Sequence, residues 1–305
     1  MWFPWPNRQD PRAQHGVFGG IDPSGSNASG IHERALSTIE RRAPGGDPVA
    51  RGLAGLARRW ETTARHAAQL GILTGRIVAA IFSGKVAWRS LVAQMQWMGI
   101  ESLPIVLITG TLAGVVTSQQ GGYQFTGAIP LYVLGSVVTS SVVLELGPVL
   151  TAVVLIGRVG ARITAELGTM QVSEQIDAMY SLGRDPIEVI AAPRVLAGVI
   201  VVPILVAVAN TVGVLAGMLA AQATVGLGSE SFLYGAGLFW HNWDMFYSLM
   251  KALVFGAAIP LIAVHMGLAT RGGAEGVGRA TTTSVVFMTL AVLVLDALFP
   301  PLLLN

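Results

Sequence analysis

Three ionisable residues stand where a charge is costly, inside long apolar stretches of the sequence. Glu145, Lys251 and Asp296 are each the only Asp, Glu, Lys or Arg in a stretch long enough to cross a bilayer. A lone charge in hydrocarbon costs at least about 2.5 to 3.5 kcal/mol, so each should lie beside a partner of opposite sign. We therefore expect one cluster. It would serve either as a polar element of a substrate cavity or as an ion pair that locks helices together.

A second group of charged residues lies in the connection between two apolar stretches. The pattern predicts a short helix over residues 173–182, with Glu174 and Asp177 near its positive N-terminal end. Gly183 and Pro186 are expected to end it. Its apolar face would hold Ile176, Met179 and Tyr180. A capped amphipathic helix of this kind could dock to another protein or could be a solvated connection.

The apolar stretches define the architecture that must position these residues, because about 20 apolar residues cross the hydrocarbon core. Five stretches meet this length, so the sequence predicts an all-α membrane protein with about five transmembrane helices. The expected spans are 103–118 extended by 97–100, 129–157, 195–228, 246–270 and 281–304. The third stretch leaves room for a short re-entrant or interfacial piece.

The region before these spans has a different character. Residues 1–48 are rich in Gly, Pro and Ser and lack the apolar core of a signal peptide, so we predict a disordered cytoplasmic tail. In residues 49–100 apolar positions recur at helical spacing beside several arginines, which predicts an interfacial amphipathic helical segment. Residues 101–305 form the predicted five-span domain.

Orientation follows from where the basic residues fall between the spans. The N-terminal third, the segment 158–194 and the segment 271–279 carry Lys or Arg, whereas 119–128 and 229–245 carry none. We therefore expect an inner-membrane protein with its N-terminus in the cytoplasm and its C-terminus in the periplasm. Tyr and Trp residues cluster near the two uncharged connections, as an interfacial aromatic belt would.

Composition excludes several classes of protein. Of 305 residues, 52% are hydrophobic and 12% charged, too few charges to cover a soluble globule. Twelve of the 19 Lys and Arg residues precede position 102, which argues against nucleic-acid binding. Cysteine is absent, and the five histidines include no i, i+4 pair, so we expect no metal site.

Nucleotide hydrolysis is excluded in its commonest form. A Walker A loop needs Gly-Lys followed by Ser or Thr, and the two lysines, Lys85 and Lys251, stand in Gly-Lys-Val and Met-Lys-Ala. We expect no cofactor in this chain and no enzymatic activity of its own. Active transport would draw energy from a separate subunit or from an ion gradient.

Several motifs recur in a fixed order and together resemble the MlaE/YrbE permeases, the membrane subunits of MCE-type ABC lipid transporters. They are Glu-Leu-Gly-Pro at 145–148, Gly-Arg-Val-Gly at 157–160, Ala-Glu-Leu-Gly-Thr-Met at 165–170, Glu-Gln-Ile-Asp-Ala-Met at 174–179, Pro-Arg-Val-Leu-Ala at 193–197, Gly-Arg-Ala-Thr-Thr at 278–282 and Leu-Val-Leu-Asp at 293–296. The resemblance extends over residues 50–305.

This resemblance implies a homodimeric permease with an MlaE-like fold that moves glycerophospholipid between the inner and outer membranes. Two ATPase subunits would bind ATP and Mg, an MCE-domain protein would stand on the periplasmic side, and a STAS-domain protein often joins in the cytoplasm.

The resemblance also assigns residues. The segment 173–182 becomes the coupling helix, and the residues expected to couple to the ATPase are Glu166, Glu174, Asp177, Met179 and Arg184. Phe125 and Leu146 would line an apolar lipid cavity at the dimer interface. Leu144 stands where some relatives carry an arginine, so headgroup contacts would differ.

Three rival functions remain open from the sequence. An ion-coupled secondary transporter could use Glu145, Lys251 and Asp296 as a proton relay, although no internal repeat is visible. The same permease type could import sterol-like hydrophobic compounds. A membrane scaffold without transport would carry no bound lipid.

Overall fold

A computed structural model describes residues 68–84, 86–125 and 129–303 of the chain. Within these ranges the chain is helical and contains no strand. The predicted tail, 1–48, and the part of the interfacial segment at 49–67 lie outside the described residues and stay predictions.

Nine helices account for the described ranges. In chain order they are α1 (Ala68–Phe82), α2 (Trp88–Gly99), α3 (Leu103–Gln124), α4 (Val133–Val172), α5 (Gln175–Ser181), α6 (Ile187–Val225), α7 (Ser229–Leu238), α8 (Asn242–Leu268) and α9 (Gly273–Leu303).

The prediction of five spans is confirmed: α2 with α3, then α4, α6, α8 and α9, are long and apolar enough to cross a membrane. Most boundaries differ from the prediction by several residues, and two of the differences change the description of the fold. The third span ends at Val225, because Gly226 takes a left-handed conformation (φ 69°) that closes the helix. The apolar residues after it form the separate short helix α7. The second span continues to Val172, well beyond the predicted 157.

Helices α3 and α6 pack with their backbones in close approach, through glycines that the sequence places four residues apart. A Cβ on Gly110 would lie 2.9 Å from the carbonyl oxygen of Ala209, and one on Gly114 would overlap the carbonyl oxygen of Gly213. A Cβ on Gly217 would lie 3.1 Å from the carbonyl oxygen of Gly114 and 2.7 Å from a side-chain methyl group of Val138 in α4. The close packing expected from the GxxxG spacings is confirmed.

Helix α4 is interrupted twice by π-helical turns, at Val142–Leu146 and Ile156–Gly160. A third such turn, Ile187–Ala191, opens α6. Each π turn inserts an extra residue and shifts which side chains face the neighbouring helices, and such turns are frequent at functional positions. The first of them contains Glu145.

The outward faces of the spans are apolar. On α9 the exposed large side chains are Val286, Phe287, Leu290, Leu293, Val294, Leu298 and Leu302. An exposed surface of this kind suits hydrocarbon rather than water, so the bilayer completes the burial that the helix packing begins.

We expect Gly114→Ala to destabilise the fold by about 1 to 3 kcal/mol, because the added methyl group forces the backbones of α3 and α6 apart. Thermal unfolding of the detergent-purified protein measures the loss. Gly237→Ala is the matched control, since a Cβ on Gly237 in α7 meets nothing within 4 Å. Equal midpoints for the two variants would show that the close contact is not needed.

Candidate functional site

The structure brings the three intramembrane charges together between α4, α8 and α9. The Lys251 ammonium donates a hydrogen bond to Glu145 and lies 2.5 Å from Oδ1 of Asp296. It also donates to the carbonyl oxygen of Leu144, at 3.3 Å. One cation of α8 therefore holds a carboxylate and a backbone acceptor of α4 and a carboxylate of α9.

The members of this triad differ in exposure. The Lys251 side chain is fully buried at 0%, whereas Asp296 is 17% exposed and Glu145 is 47% exposed. The cation is thus sealed inside the protein while one carboxylate opens outward. With both carboxylates ionised the triad carries one net negative charge, at a depth where the surroundings are apolar.

Local sequence explains why Glu145 and Leu144 meet the lysine. In a regular α-helix the N–H of residue 148 would bond to the carbonyl oxygen of Leu144, but Pro148 has no N–H. The π turn that ends at Leu146 lies immediately before this proline. Lys251 supplies a donor to the carbonyl oxygen that the proline leaves without its α-helical partner.

A buried polar pair lies one helical turn from the triad, and the sequence interpretation did not single it out. The side-chain amide of Asn210 in α6 donates to the hydroxyl of Ser248 in α8, at 2.9 Å. A Cβ on Gly147 would overlap Oδ1 of Asn210, so glycine makes room for the amide. Asn210 is the one strongly polar side chain midway along the uncharged stretch 195–228. This isolated polar residue is the sequence feature from which the buried pair could have been predicted.

The two residues predicted to line a lipid cavity are both half-buried. Leu146 shares the π turn with Glu145, and Phe125 packs at the end of α3 against a buried apolar cluster. That cluster comprises Leu134, Val138, Val142, Ala221, Leu227 and Phe232. Neither predicted residue lines the enclosed apolar cavity beside Met98 and Leu155, whose volume of about 10 Å³ is too small for an acyl chain.

The predicted coupling segment forms the exposed helix α5. It begins after Glu174, which takes a left-handed conformation (φ 61°), and Gly183 (φ 71°) follows its end. Ile176 is buried, and Met179 and Tyr180 are half-buried on the same face. The other residues predicted to couple to an ATPase, Glu174, Asp177 and Arg184, are exposed.

Two ion pairs fix the connection around α5 to the spans. Arg76 in α1 pairs with Asp185 at 2.6 Å, and the second oxygen of Asp185 accepts from the backbone N–H of Ile187 at 2.9 Å. Burial raises the pKa of the Tyr180 hydroxyl above its usual value, and the neighbouring Asp185 carboxylate adds to this effect. Tyr180 therefore stays neutral at physiological pH.

The second ion pair involves a residue that the sequence assigned to coupling. The Glu166 carboxylate in α4 accepts from Arg194 in α6 at 2.7 Å, and Arg194 also donates to the carbonyl oxygen of Ile190. Arg194 is buried, so Glu166 holds two spans together while half of its side chain stays open. Arg76, Asp185 and Arg194 were given no role from the sequence, although Arg194 stands in the motif at 193–197, because their partners are distant along the chain.

Comparison with known proteins places these features in a family. The sequence pattern of the family described as Permease MlaE matches residues 91–301. A probable ABC transporter permease protein of Synechocystis sp. is 40% identical over 73% of this chain and 84% of its own length. A probable ABC transporter permease protein of Rickettsia typhi is 37% identical over 70% of this chain and 82% of its own length.

A plant protein is similar over a comparable share of the chain. The chloroplastic protein TRIGALACTOSYLDIACYLGLYCEROL 1 of Arabidopsis thaliana is 36% identical over 74% of this chain, which covers 64% of the plant protein. The family match and these relatives all include the greater part of the five-span region. The chain therefore belongs to the MlaE family of ABC transporter permeases.

Proposed function

We propose that this permease moves glycerophospholipids between the inner and outer membranes, with ATP hydrolysis supplied by separate subunits. The observation that carries the proposal is helix α5, an exposed helix between two spans that buries Ile176 and lies beside two ion pairs, Arg76–Asp185 and Arg194–Glu166. A relative whose name contains trigalactosyldiacylglycerol, a diacylglycerol lipid, supports a lipid substrate.

In this proposal ATP is hydrolysed by other chains. Neither lysine of this chain stands in a Walker A loop, so two ATPase subunits would bind the ATP and Mg. Helix α5 and its flanking residues offer Glu174, Asp177, Met179 and Arg184 to such a partner. A push on α5 reaches α1 through the Arg76–Asp185 pair, and the adjoining Glu166–Arg194 pair links α4 to α6.

The lipid cavity would be completed by a second copy of the chain. The enclosed cavity beside Met98 is too small for an acyl chain, whereas Phe125 and Leu146 are half-buried and available to a shared space. A homodimer would therefore hold the acyl chains between its two subunits.

The family resemblance implies the remaining partners, and the orientation that the arginines predict gives the side of the membrane on which each would stand. With residues 158–194 in the cytoplasm, α5 would meet the ATPase there, beside a STAS-domain protein. The C-terminus would then be periplasmic, on the side where an MCE-domain protein would exchange lipid with the dimer.

Reversal of the charge on α5 should release the ATPase. We expect Glu174→Lys combined with Asp177→Lys to lower ATPase co-purification about tenfold, because both side chains are exposed and meet the partner directly. The membrane dimer should keep its size-exclusion position. Glu275→Lys, at an exposed position in the first turn of α9, is the control. Unaltered co-purification of the double variant would remove this step from the proposal.

Lipid mass spectrometry of the purified complex tests the substrate class. We expect glycerophospholipid as the main bound lipid, and transfer between labelled vesicles only with ATP and an active ATPase subunit. A proton uncoupler should not slow this transfer. Bound sterol-like compounds in place of phospholipid would support the hydrophobic-compound importer, and a complex without lipid or transfer would support the scaffold.

Ion-coupled transport is a second candidate, and the buried triad is the observation that favours it. A lysine sealed between two carboxylates can exchange a proton with its partners when either carboxylate changes its surroundings. Transfer that proceeds without ATP on an imposed proton gradient, and that the uncoupler abolishes, would select this function over the first.

Removal of the triad's cation should unfold the spans around it. We expect Lys251→Met to cost about 3 to 5 kcal/mol, because it leaves two carboxylates facing each other in apolar surroundings. Adding Glu145→Gln and Asp296→Asn should restore most of the lost thermal stability. Lipid transfer by this triple variant then distinguishes the two roles of the triad. Retained transfer indicates that the triad only holds the helices together, whereas lost transfer in a stable fold indicates that it is a polar element of the substrate path.

A further inference from the structure

Two arginines at the end of the second span share one carboxylate with an aromatic ring beside them. Arg158 lies 3.3 Å and Arg162 lies 3.7 Å from the same oxygen of Glu101, which precedes α3. The Arg162 guanidinium also stands over the Trp97 ring, 4.3 Å from its centroid. We call Arg158 and Arg162 the basic pair. Two cations face one anion, so the cluster keeps a net positive charge.

The basic pair is open to its surroundings. The Arg158 side chain is 40% exposed, Arg162 is 58% exposed and Glu101 is 51% exposed. Each guanidinium has five N–H donors, and one shared carboxylate oxygen at 3.3 to 3.7 Å uses few of them. This differs from Arg194, which is buried against its glutamate at 2.7 Å. The basic pair therefore has donors left for another anion.

The depth of the pair in the bilayer follows from the geometry of α4. Glu145 is the central residue of the stretch 133–157, and thirteen residues separate it from Arg158. At 1.5 Å per residue this is about 20 Å. Half of the hydrocarbon core is about 15 Å thick, so the guanidinium groups reach the headgroup layer on the side where α5 lies.

An exposed apolar stripe runs along α3 from the same point toward the bilayer centre. Its residues share one helix face with Glu101, at spacings of three and four. They are Ile105, Ile108, Leu112 and Val116. A molecule with an anionic head at the basic pair would find its hydrocarbon chains beside this stripe.

We propose that the basic pair binds the phosphodiester headgroup of an anionic phospholipid in the leaflet nearest α5, with the acyl chains along the α3 stripe. The planar guanidinium group of an arginine can donate two parallel hydrogen bonds to phosphate oxygens. The Trp97 ring holds the guanidinium group of Arg162 in place. Glu101 competes with the phosphate for the same donors. This site lies apart from Phe125 and Leu146, and it depends only on membrane insertion, not on the proposed transport.

A second copy of the chain fits the cluster less well than a lipid. In a two-fold interface centred on it, each arginine would face its own symmetry equivalent. Such an arrangement would bring two net positive clusters together, whereas an anionic headgroup neutralises one.

Native mass spectrometry of the full chain in mild detergent tests the site. The protein is titrated with phosphatidylglycerol and, separately, with phosphatidylcholine. We expect a preference for phosphatidylglycerol that falls about fivefold for Arg158→Gln and again for Arg162→Gln. Glu101→Gln should raise the preference, because it removes the competing anion. Arg279→Gln is the matched control, because Arg279 is an exposed arginine that also lies near a glutamate. This variant should leave the preference for phosphatidylglycerol unchanged.

The opposite directions of these variants make the test decisive. If the cluster merely ties α3 to α4, Glu101→Gln and the arginine variants will all lower stability and none will change the lipid preference. Dissociation of dimers in the arginine variants at constant lipid preference would assign the cluster to a second copy. Displacement of the bound lipid by millimolar inorganic phosphate would point to a soluble anion as the ligand. Each of these results overturns the proposal.

Discussion

The buried ammonium group of Lys251 is the charge on which the arrangement of α4, α8 and α9 depends. A cation without a partner at this depth would make insertion of α8 unfavourable, so the helices that carry Glu145 and Asp296 must pack against it. The same contact explains the irregular course of α4, since a π turn and Pro148 present a carboxylate and a backbone oxygen to one donor. Packing and polarity at the bilayer centre are therefore set by one interaction.

Charge and hydropathy made much of this fold predictable. An isolated Lys251 in a long apolar stretch already requires an acidic partner, and the five spans follow from length alone. The π turn at Val142–Leu146 was not predictable, because it depends on packing against other helices, as where Gly147 meets the Asn210 amide of α6. Ion pairs such as Arg76–Asp185 were hidden for a similar reason, since 109 residues separate the two partners.

The arginines near the connection between α4 and α6 act in two different ways. Arg76 and Arg194 are tied to single carboxylates at 2.6 and 2.7 Å: the first pair ties this connection to α1, and the second ties α6 to α4. Arg158 and Arg162 share a more distant oxygen and remain open. The first kind fixes the geometry that a partner protein would contact, and the second kind leaves charge available at the bilayer surface.

The glycine contact between α3 and α6 has a mechanical consequence. Side chains that interdigitate must change rotamer before one helix can slide along another, but Gly110 and Gly114 present bare backbone to Ala209 and Gly213. Shear along this seam therefore meets no interlocked side chains at these positions. The contact resists separation of the helices because the backbones are in van der Waals contact, and at these positions a shift of α3 along α6 would require no side chain to change rotamer.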